Sequence, residues 1–187
     1  SCMKRSGFLV VLALVAILAV NAIGAYNKMV VLEQSVDAAW AQVNTQLQRR
    51  YDLIPNLVNT VKGYAAHEQE AIQAVTEARA AMLGAQSPAE QQQAAASLEN
   101  ALGRLLVVVE NYPELKADTV FVGLMDELAG TENRIAQHRM LFNDEVKTYN
   151  TYIARFPNVL WAKLFGRSAR VYFEIPDAAQ VAPQVGF

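Results

Sequence analysis

The stretch Gly7-Phe8-Leu9-Val10-Val11-Leu12-Ala13-Leu14-Val15-Ala16-Ile17-Leu18-Ala19-Val20-Asn21-Ala22-Ile23-Gly24-Ala25 decides how the rest of the chain is read. Phe8 to Val20 is apolar without interruption, and Asn21 is the single strongly polar residue inside the stretch. At the α-helical rise its length is roughly 28 Å, about one bilayer hydrocarbon core. A soluble helix shows a polar residue every third or fourth position, because only one of its faces is buried. This stretch has no such face. It is predicted to be a transmembrane helix over residues 7–25, with residues 1–6 as a short N-terminal segment.

The flanks extend the reading. Lys4-Arg5 followed by an apolar run also fits a secretory signal peptide, with Val20-Asn21-Ala22 as its cleavage site. The run continues past that site through Ile23 to Tyr26, which favours a retained anchor. Cys2 precedes the apolar run, so the pattern is not that of a lipoprotein. Lys4 and Arg5 lie on one side, and Lys28 alone lies close on the other. The positive-inside rule then places the N-terminus in the cytoplasm and the main domain outside the cell membrane.

Composition narrows the remainder. Apolar residues make up 53% of the 187 and charged residues 18%, the reverse of a disordered chain. Sixteen Lys and Arg against eighteen Asp and Glu leave no basic footprint for nucleic acid. One cysteine rules out an internal disulfide framework. Nine glycines and six prolines are too few for a turn-rich β fold.

Beyond Tyr26 the apolar spacing is helical. Met29, Val36, Trp40, Val43, Leu47 and Ile54 form a stripe of near-heptad steps, and it resumes from Leu57 to Met82. The pattern predicts one helix continuous with the anchor as far as Leu83. Pro55 should kink it near Tyr51–Asp52; full reversal there is the alternative. Ser87-Pro88-Ala89-Glu90 is a capping box opening a second helix that ends at Tyr112-Pro113. A third runs from near Asp118 to Phe156-Pro157, and residues 158–165 add a short amphipathic turn. The prolines and small residues of 174–187 predict a tail with little structure.

Several phrases are distinctive as wholes. They include Ala39-Trp40-Ala41-Gln42-Val43, Arg49-Arg50-Tyr51-Asp52-Leu53-Ile54-Pro55-Asn56-Leu57-Val58, Glu110-Asn111-Tyr112-Pro113-Glu114-Leu115-Lys116-Ala117, Glu127-Leu128-Ala129-Gly130-Thr131-Glu132-Asn133-Arg134-Ile135 and Asn143-Asp144-Glu145-Val146-Lys147-Thr148-Tyr149-Asn150. The chain resembles the LemA family of bacterial membrane proteins from about Tyr26 to Phe173, with a departure at His138. The resemblance implies a transmembrane helix followed by an all-α bundle. It implies no activity, and it implies an extracellular N-terminus, opposite to the flanking charges.

Chemistry-bearing motifs are sparse. His67-Glu68 begins an HExxH-like string, but position 71 is Ala, so the second zinc ligand is missing. Neither of the two histidines has a Glu three residues before it, as a di-iron bundle requires. No phosphate loop or nucleophile elbow occurs. The reading is therefore of no catalytic residues, no metal and no cofactor. Three sets of residues carry the remaining expectations. Met29, Val36, Trp40 and Val43 form a stripe for self-association. Arg49, Arg50, Asp52, Asn56, Asn59, Glu110, Glu132, Asn133 and Arg134 form either a polar groove for a ligand or peptide, or a buried network fixing helix register. Asn56 and Asn59 are expected to bond carbonyls released by Pro55. Arg155, Trp161, Lys163, Phe165, Arg167 and Arg170 read as an interfacial tip or as a lid on the bundle.

Distance weighs on the tip. A straight helix from Tyr26 to Leu83 reaches roughly 87 Å, the second helix returns roughly 35 Å and the third goes out again by roughly 55 Å. A kink therefore puts the tip far from its own bilayer; a reversal near Asp52 brings it back. The expected fold is all-α: a transmembrane helix continuing into an antiparallel bundle of three long helices and a short fourth, with 26–173 as one domain. The expected role is a membrane-anchored, non-enzymatic scaffold or adaptor. Its partners would be the bilayer through residues 7–25, further copies of itself, and an unidentified protein. A groove-based sensor and a tip-based membrane tether are the alternatives.

Overall fold

A computed structural model describes the backbone of residues 2–173 and the side chains of residues 7–173. The tail expected to lack structure lies outside the described residues. The chain forms α1 (Cys2–Tyr64), α2 (Gln69–Gly84), α3 (Pro88–Val109), the single turn α4 (Pro113–Lys116), α5 (Thr119–Ala154) and α6 (Asn158–Leu164). No strand occurs among the described residues.

The expected helix to Leu83 is corrected at one place. It ends at Tyr64, and α2 starts only at Gln69. The turn between them, residues 65–68, carries neither Gly nor Pro, and Gly63 is the only local signal. The added reversal matters because it changes the direction of every later element. There is no reversal near Asp52: α1 runs through Pro55 unbroken.

Contacts divide the chain into two compact units. The first is Ser1–Trp40 with Leu141–Tyr172; the second is Ala41–Met140 with Phe173–Phe187. Residues 26–40 group with the apolar segment in the first unit.

In the second unit α1, α2, α3 and α5 share a core of Leu47, Ile54, Leu57, Val61, Val75, Leu98, Leu105, Leu128 and their neighbours, all buried. Helical spacing supplies it: Ile72, Val75, Ala78 and Met82 bury one face of α2, and Leu98, Ala101, Leu102, Leu105 and Val109 one face of α3. The capping box at the start of α3 forms. Ser87 Oγ accepts from Glu90 N at 3.2 Å and Glu90 Oε2 accepts from Ser87 N at 3.4 Å. Asp118 Oδ1 caps α5 by accepting from Val120 N and Phe121 N at 2.8 and 2.9 Å. The Phe121 amide, the Tyr64 hydroxyl and the Val120 amide hold the Asp118 carboxyl below the ordinary Asp value. Here α1 and α5 run antiparallel: Tyr64 meets Asp118, Arg49 meets Glu127 and Gln46 meets Arg134.

Pro55 has no N–H, so the carbonyl of Tyr51, four residues earlier, loses its helical donor. Arg79 Nε on α2 donates to that oxygen at 3.0 Å. Asn56 and Asn59, expected to serve the released carbonyls, are exposed instead. The proline thus leaves an acceptor on α1 that only a long donor from a neighbouring helix satisfies.

The two residues should therefore be coupled. Arg79→Met is expected to cost about 1–2 kcal/mol, the loss of a bond from a charged donor to a half-buried carbonyl. In a Pro55→Ala background the restored amide takes over the carbonyl, and the same change is expected to cost less than about 0.5 kcal/mol. Denaturant unfolding of the four variants in detergent measures the cycle; equal costs in both backgrounds would show that Arg79 acts elsewhere.

Candidate functional site

The first unit is built where α1 leaves its apolar run. The side chains of Phe8, Leu9, Val10, Val11, Leu12, Leu14, Val15, Ile17, Leu18, Val20 and Ile23 are all exposed, around the full circumference of the helix. This is the one helix among the described residues that is long and apolar enough to cross a membrane. Past it, Ala25, Met29, Leu32 and Val36 turn inward, as do Phe142, Val146, Tyr149 and Ile153 of α5. The two segments pack antiparallel in this unit, since Trp40 lies against Phe142 at 5.2 Å and Glu33 against Tyr149.

Glu33 organises the unit. One oxygen accepts from the Tyr149 hydroxyl at 2.9 Å and the other from Arg167 Nη1. Its side chain is only 15% exposed, so the charge needs both donors. Burial first, and the bond to Glu33 second, push the Tyr149 hydroxyl up to about 12, which keeps it a neutral donor across the physiological range. One turn along α1, Asp37 accepts from Arg170 Nη2 at 3.2 Å. Asn150 closes the set: its Nδ2 donates to Arg170 O at 2.9 Å and its Oδ1 accepts from Arg170 N at 2.8 Å. Two acids four residues apart on α1 thus hold two arginines three residues apart on the segment after α6.

That segment reverses over α6 by a glycine stop. Gly166 sits at φ +66, where a Cβ is strained. Arg167 N donates to Ala162 O at 2.8 Å and Gly166 N to Lys163 O at 3.3 Å, the paired bonds of a Schellman motif. The motif turns Arg167 back toward Glu33 and leaves α6 lying against the end of the apolar run. Trp161 Nε1 donates to Asn21 Oδ1 at 2.9 Å. Phe165 meets Tyr26 edge to face at 5.1 Å, and Arg167 stacks over the Tyr26 ring at 5.6 Å. The one polar residue of the apolar run therefore has a partner, and that partner is an aromatic of the type that gathers at membrane surfaces.

The expected tip has a defined place in the first unit. Within the first unit it lies beside residues 21–37 of α1. Arg167 and Arg170 are paired, Trp161 and Phe165 are half-buried, and Arg155 and Lys163 are exposed. Around them Phe156, Leu160 and Leu164 are 80%, 55% and 70% exposed. Leu160 and Leu164 share one face of α6 at a spacing of four.

The residues of the self-association stripe pack inside the chain. Met29, Val36 and Val43 are fully or nearly fully buried within the chain, and Trp40 is half-buried against Phe142. Helical spacing marks a buried face, and here that face is the core.

The polar set of the second unit is spread over several helices. Arg49 donates through Nε to Glu127 Oε1 at 3.0 Å, and its Nη2 also reaches that oxygen. Its neighbour Arg50 pairs instead with Glu99 of α3 at 2.9 Å, with its side chain almost wholly buried. Arg134 Nε donates to Gln46 Oε1 at 3.1 Å. Asp52 accepts from Gln48 at 3.1 Å, while Glu110, Glu132 and Asn133 are exposed. Adjacent arginines that go to different helices fix the rotation of α1 between them. Sequence reasoning missed Glu33, Asp37, Tyr149, Asn150 and Arg79. The only signal for the first two was their spacing of four, matched by Arg167 and Arg170 at three.

The chain is similar in sequence to known proteins. Magnetosome protein MamQ of Magnetospirillum gryphiswaldense is 28% identical over 189 residues, covering 86% of this chain and 70% of its own. Magnetosome protein MamQ 2 of Paramagnetospirillum magneticum is 28% identical over 198 residues, with the same coverage. The LemA family model matches residues 39–187, from the end of the first unit's part of α1 through the bundle and α6. By that match the chain belongs to the LemA family.

Proposed function

We propose that the protein is a single-pass, non-enzymatic scaffold whose first unit is seated on the bilayer by two elements, the apolar run of α1 and the collar formed by α6. The observation that carries this is the docking of Trp161 and Phe165 on Asn21 and Tyr26, with Phe156, Leu160 and Leu164 facing outward beside the apolar run. An aromatic and aliphatic edge at that level is the composition of a membrane interface. A collar of this kind fixes the tilt and rotation of a single span, which a lone helix leaves to its neighbours. The bundle then presents its surface to a protein partner or a second copy, through residues other than the buried Met29–Val43 stripe. That the relatives are magnetosome proteins supports a role in organising a cellular structure over a role in metabolism. For orientation the proposal follows Lys4 and Arg5: N-terminus cytoplasmic, bundle outside the cell membrane.

Two measurements test it. Trp40 and Trp161 are the only tryptophans. In bilayers containing lipid brominated near the top of the acyl chain, Trp161 fluorescence in a Trp40→Phe variant is expected to be strongly quenched, and Trp40 fluorescence in a Trp161→Phe variant much less. Equal quenching of the two removes the collar. Cys2 is the only cysteine. With the proposed orientation a membrane-impermeant maleimide should label it only after lysis, and labelling in intact cells reverses the topology.

A further inference from the structure

A groove of about 460 Å³ runs between α1 and α5 in the first unit, within the size range of ligand sites. Lys28 and Leu32 line it from α1; Asp144, Lys147 and Thr151 line it from α5, and Arg155 from just beyond its end. Three cations and one carboxylate give it a charge of +2, in a chain whose net charge is −2. The two nearby acids of α1 do not neutralise it, because Glu33 and Asp37 are engaged by Arg167 and Arg170. Lys147 and Thr151 stand on one face of α5 at a spacing of four, and Arg155 follows directly after the helix ends at Ala154. Like charges gathered in one groove repel one another unless an anion joins them.

Position identifies the anion. Lys28 lies three residues beyond Ala25, about 4.5 Å further along the helix axis than the end of the apolar run. That is the depth at which lipid phosphates begin. Arg155 is followed directly by Phe156, the most exposed of the collar's aromatic residues. A headgroup in the groove would have its acyl chains along the apolar run, whose exposed Ile17 and Leu14 lie on the same side of α1 as Lys28. We propose that this groove binds the headgroup of an anionic phospholipid of the bilayer that α1 crosses, with Lys28, Lys147 and Arg155 on its phosphate and Thr151 as a hydroxyl donor. The site rests on the bilayer-seated reading of this unit. It adds a chemical preference that the apolar collar lacks: the collar binds any bilayer, the groove selects negative lipid.

The test uses the full chain, extracted in mild detergent from vesicles of equal phosphatidylglycerol and phosphatidylcholine, and counts bound lipid by native mass spectrometry. Phosphatidylglycerol is expected to be retained in preference. Lys147→Gln should lower that preference about 5-fold, the effect of one cation near a charged membrane surface. Lys28→Gln, Lys147→Gln and Arg155→Gln together should abolish it, while the same changes at Lys62 and Lys116 of the second unit leave it intact. The variants are checked by circular dichroism, and because all three residues are exposed they should remain folded. Equal retention of the two lipids by the wild type overturns the proposal. So does a triple variant that keeps the preference, or displacement of phosphatidylglycerol by millimolar inorganic phosphate, which would mark a site for the free ion. Trp161 quenching in the triple variant separates the two readings: if it persists while the wild type shows no lipid preference, the headgroup site alone fails.

Discussion

Glu33 carries a charge that the surrounding structure almost removes from water, and the first unit is arranged to satisfy it. Tyr149 brings α5 to α1, and Arg167 brings the chain beyond α6 to the same carboxylate. With both ends so held, the intervening residues have little freedom. The turn at Phe156-Pro157 and the glycine stop at Gly166 bound a helix of seven residues, and its aromatic side can only rest on α1 at Asn21 and Tyr26. The exposed faces of Phe156, Leu160 and Leu164 follow from that seating. Removing one partner of a pair this buried leaves the other charge unsatisfied, so the arrangement is held more by the cost of breaking it than by the strength of the bond itself. The Asp37–Arg170 pair is about half exposed, and as a surface ion pair it contributes much less.

The same logic separates the two groups of polar residues. In the second unit Arg49 and Arg50, neighbours in sequence, reach Glu127 on α5 and Glu99 on α3, and Arg134 returns to Gln46. These bonds fix rotation and register among helices whose apolar faces are otherwise interchangeable mixtures of Leu, Val and Ala. In the first unit the polar residues do the corresponding work for one span and one short helix, and they leave a cationic groove beside the apolar run. Order in the bundle and the proposed contact with lipid thus draw on different sets of residues.

Much of this was legible in the sequence. The anchor followed from an apolar run with no polar face, and the helices α3 and α5 from Ser87, Asp118 and the flanking prolines, because caps and breakers act locally. The all-α architecture followed from spacing alone. The turn at 65–68 was not legible: its residues are Ala65, Ala66, His67 and Glu68, and the apolar stripe on both sides stays in helical phase. That one omission merged α1 and α2 into a single expected helix. The stripe of Met29, Val36 and Val43 was legible as apolar, and the structure buries these side chains within the chain, since periodicity marks what is buried without saying by what. The arginine pairs and the Arg79 bond to Tyr51 were invisible because they join residues dozens of positions apart.

The central claim is that the outer face of α6 lies in the interface of the bilayer that α1 crosses. Spin labels placed one at a time by Phe156→Cys, Leu160→Cys and Leu164→Cys, in a Cys2→Ser background reconstituted into liposomes, measure this directly through their collisions with oxygen and with a water-soluble nickel chelate. The account predicts oxygen-dominated collisions at all three positions and chelate-dominated collisions at Val107, an exposed residue of α3 in the second unit. Chelate-dominated collisions at 156, 160 and 164, equal to those at Val107, would place α6 in water and contradict it.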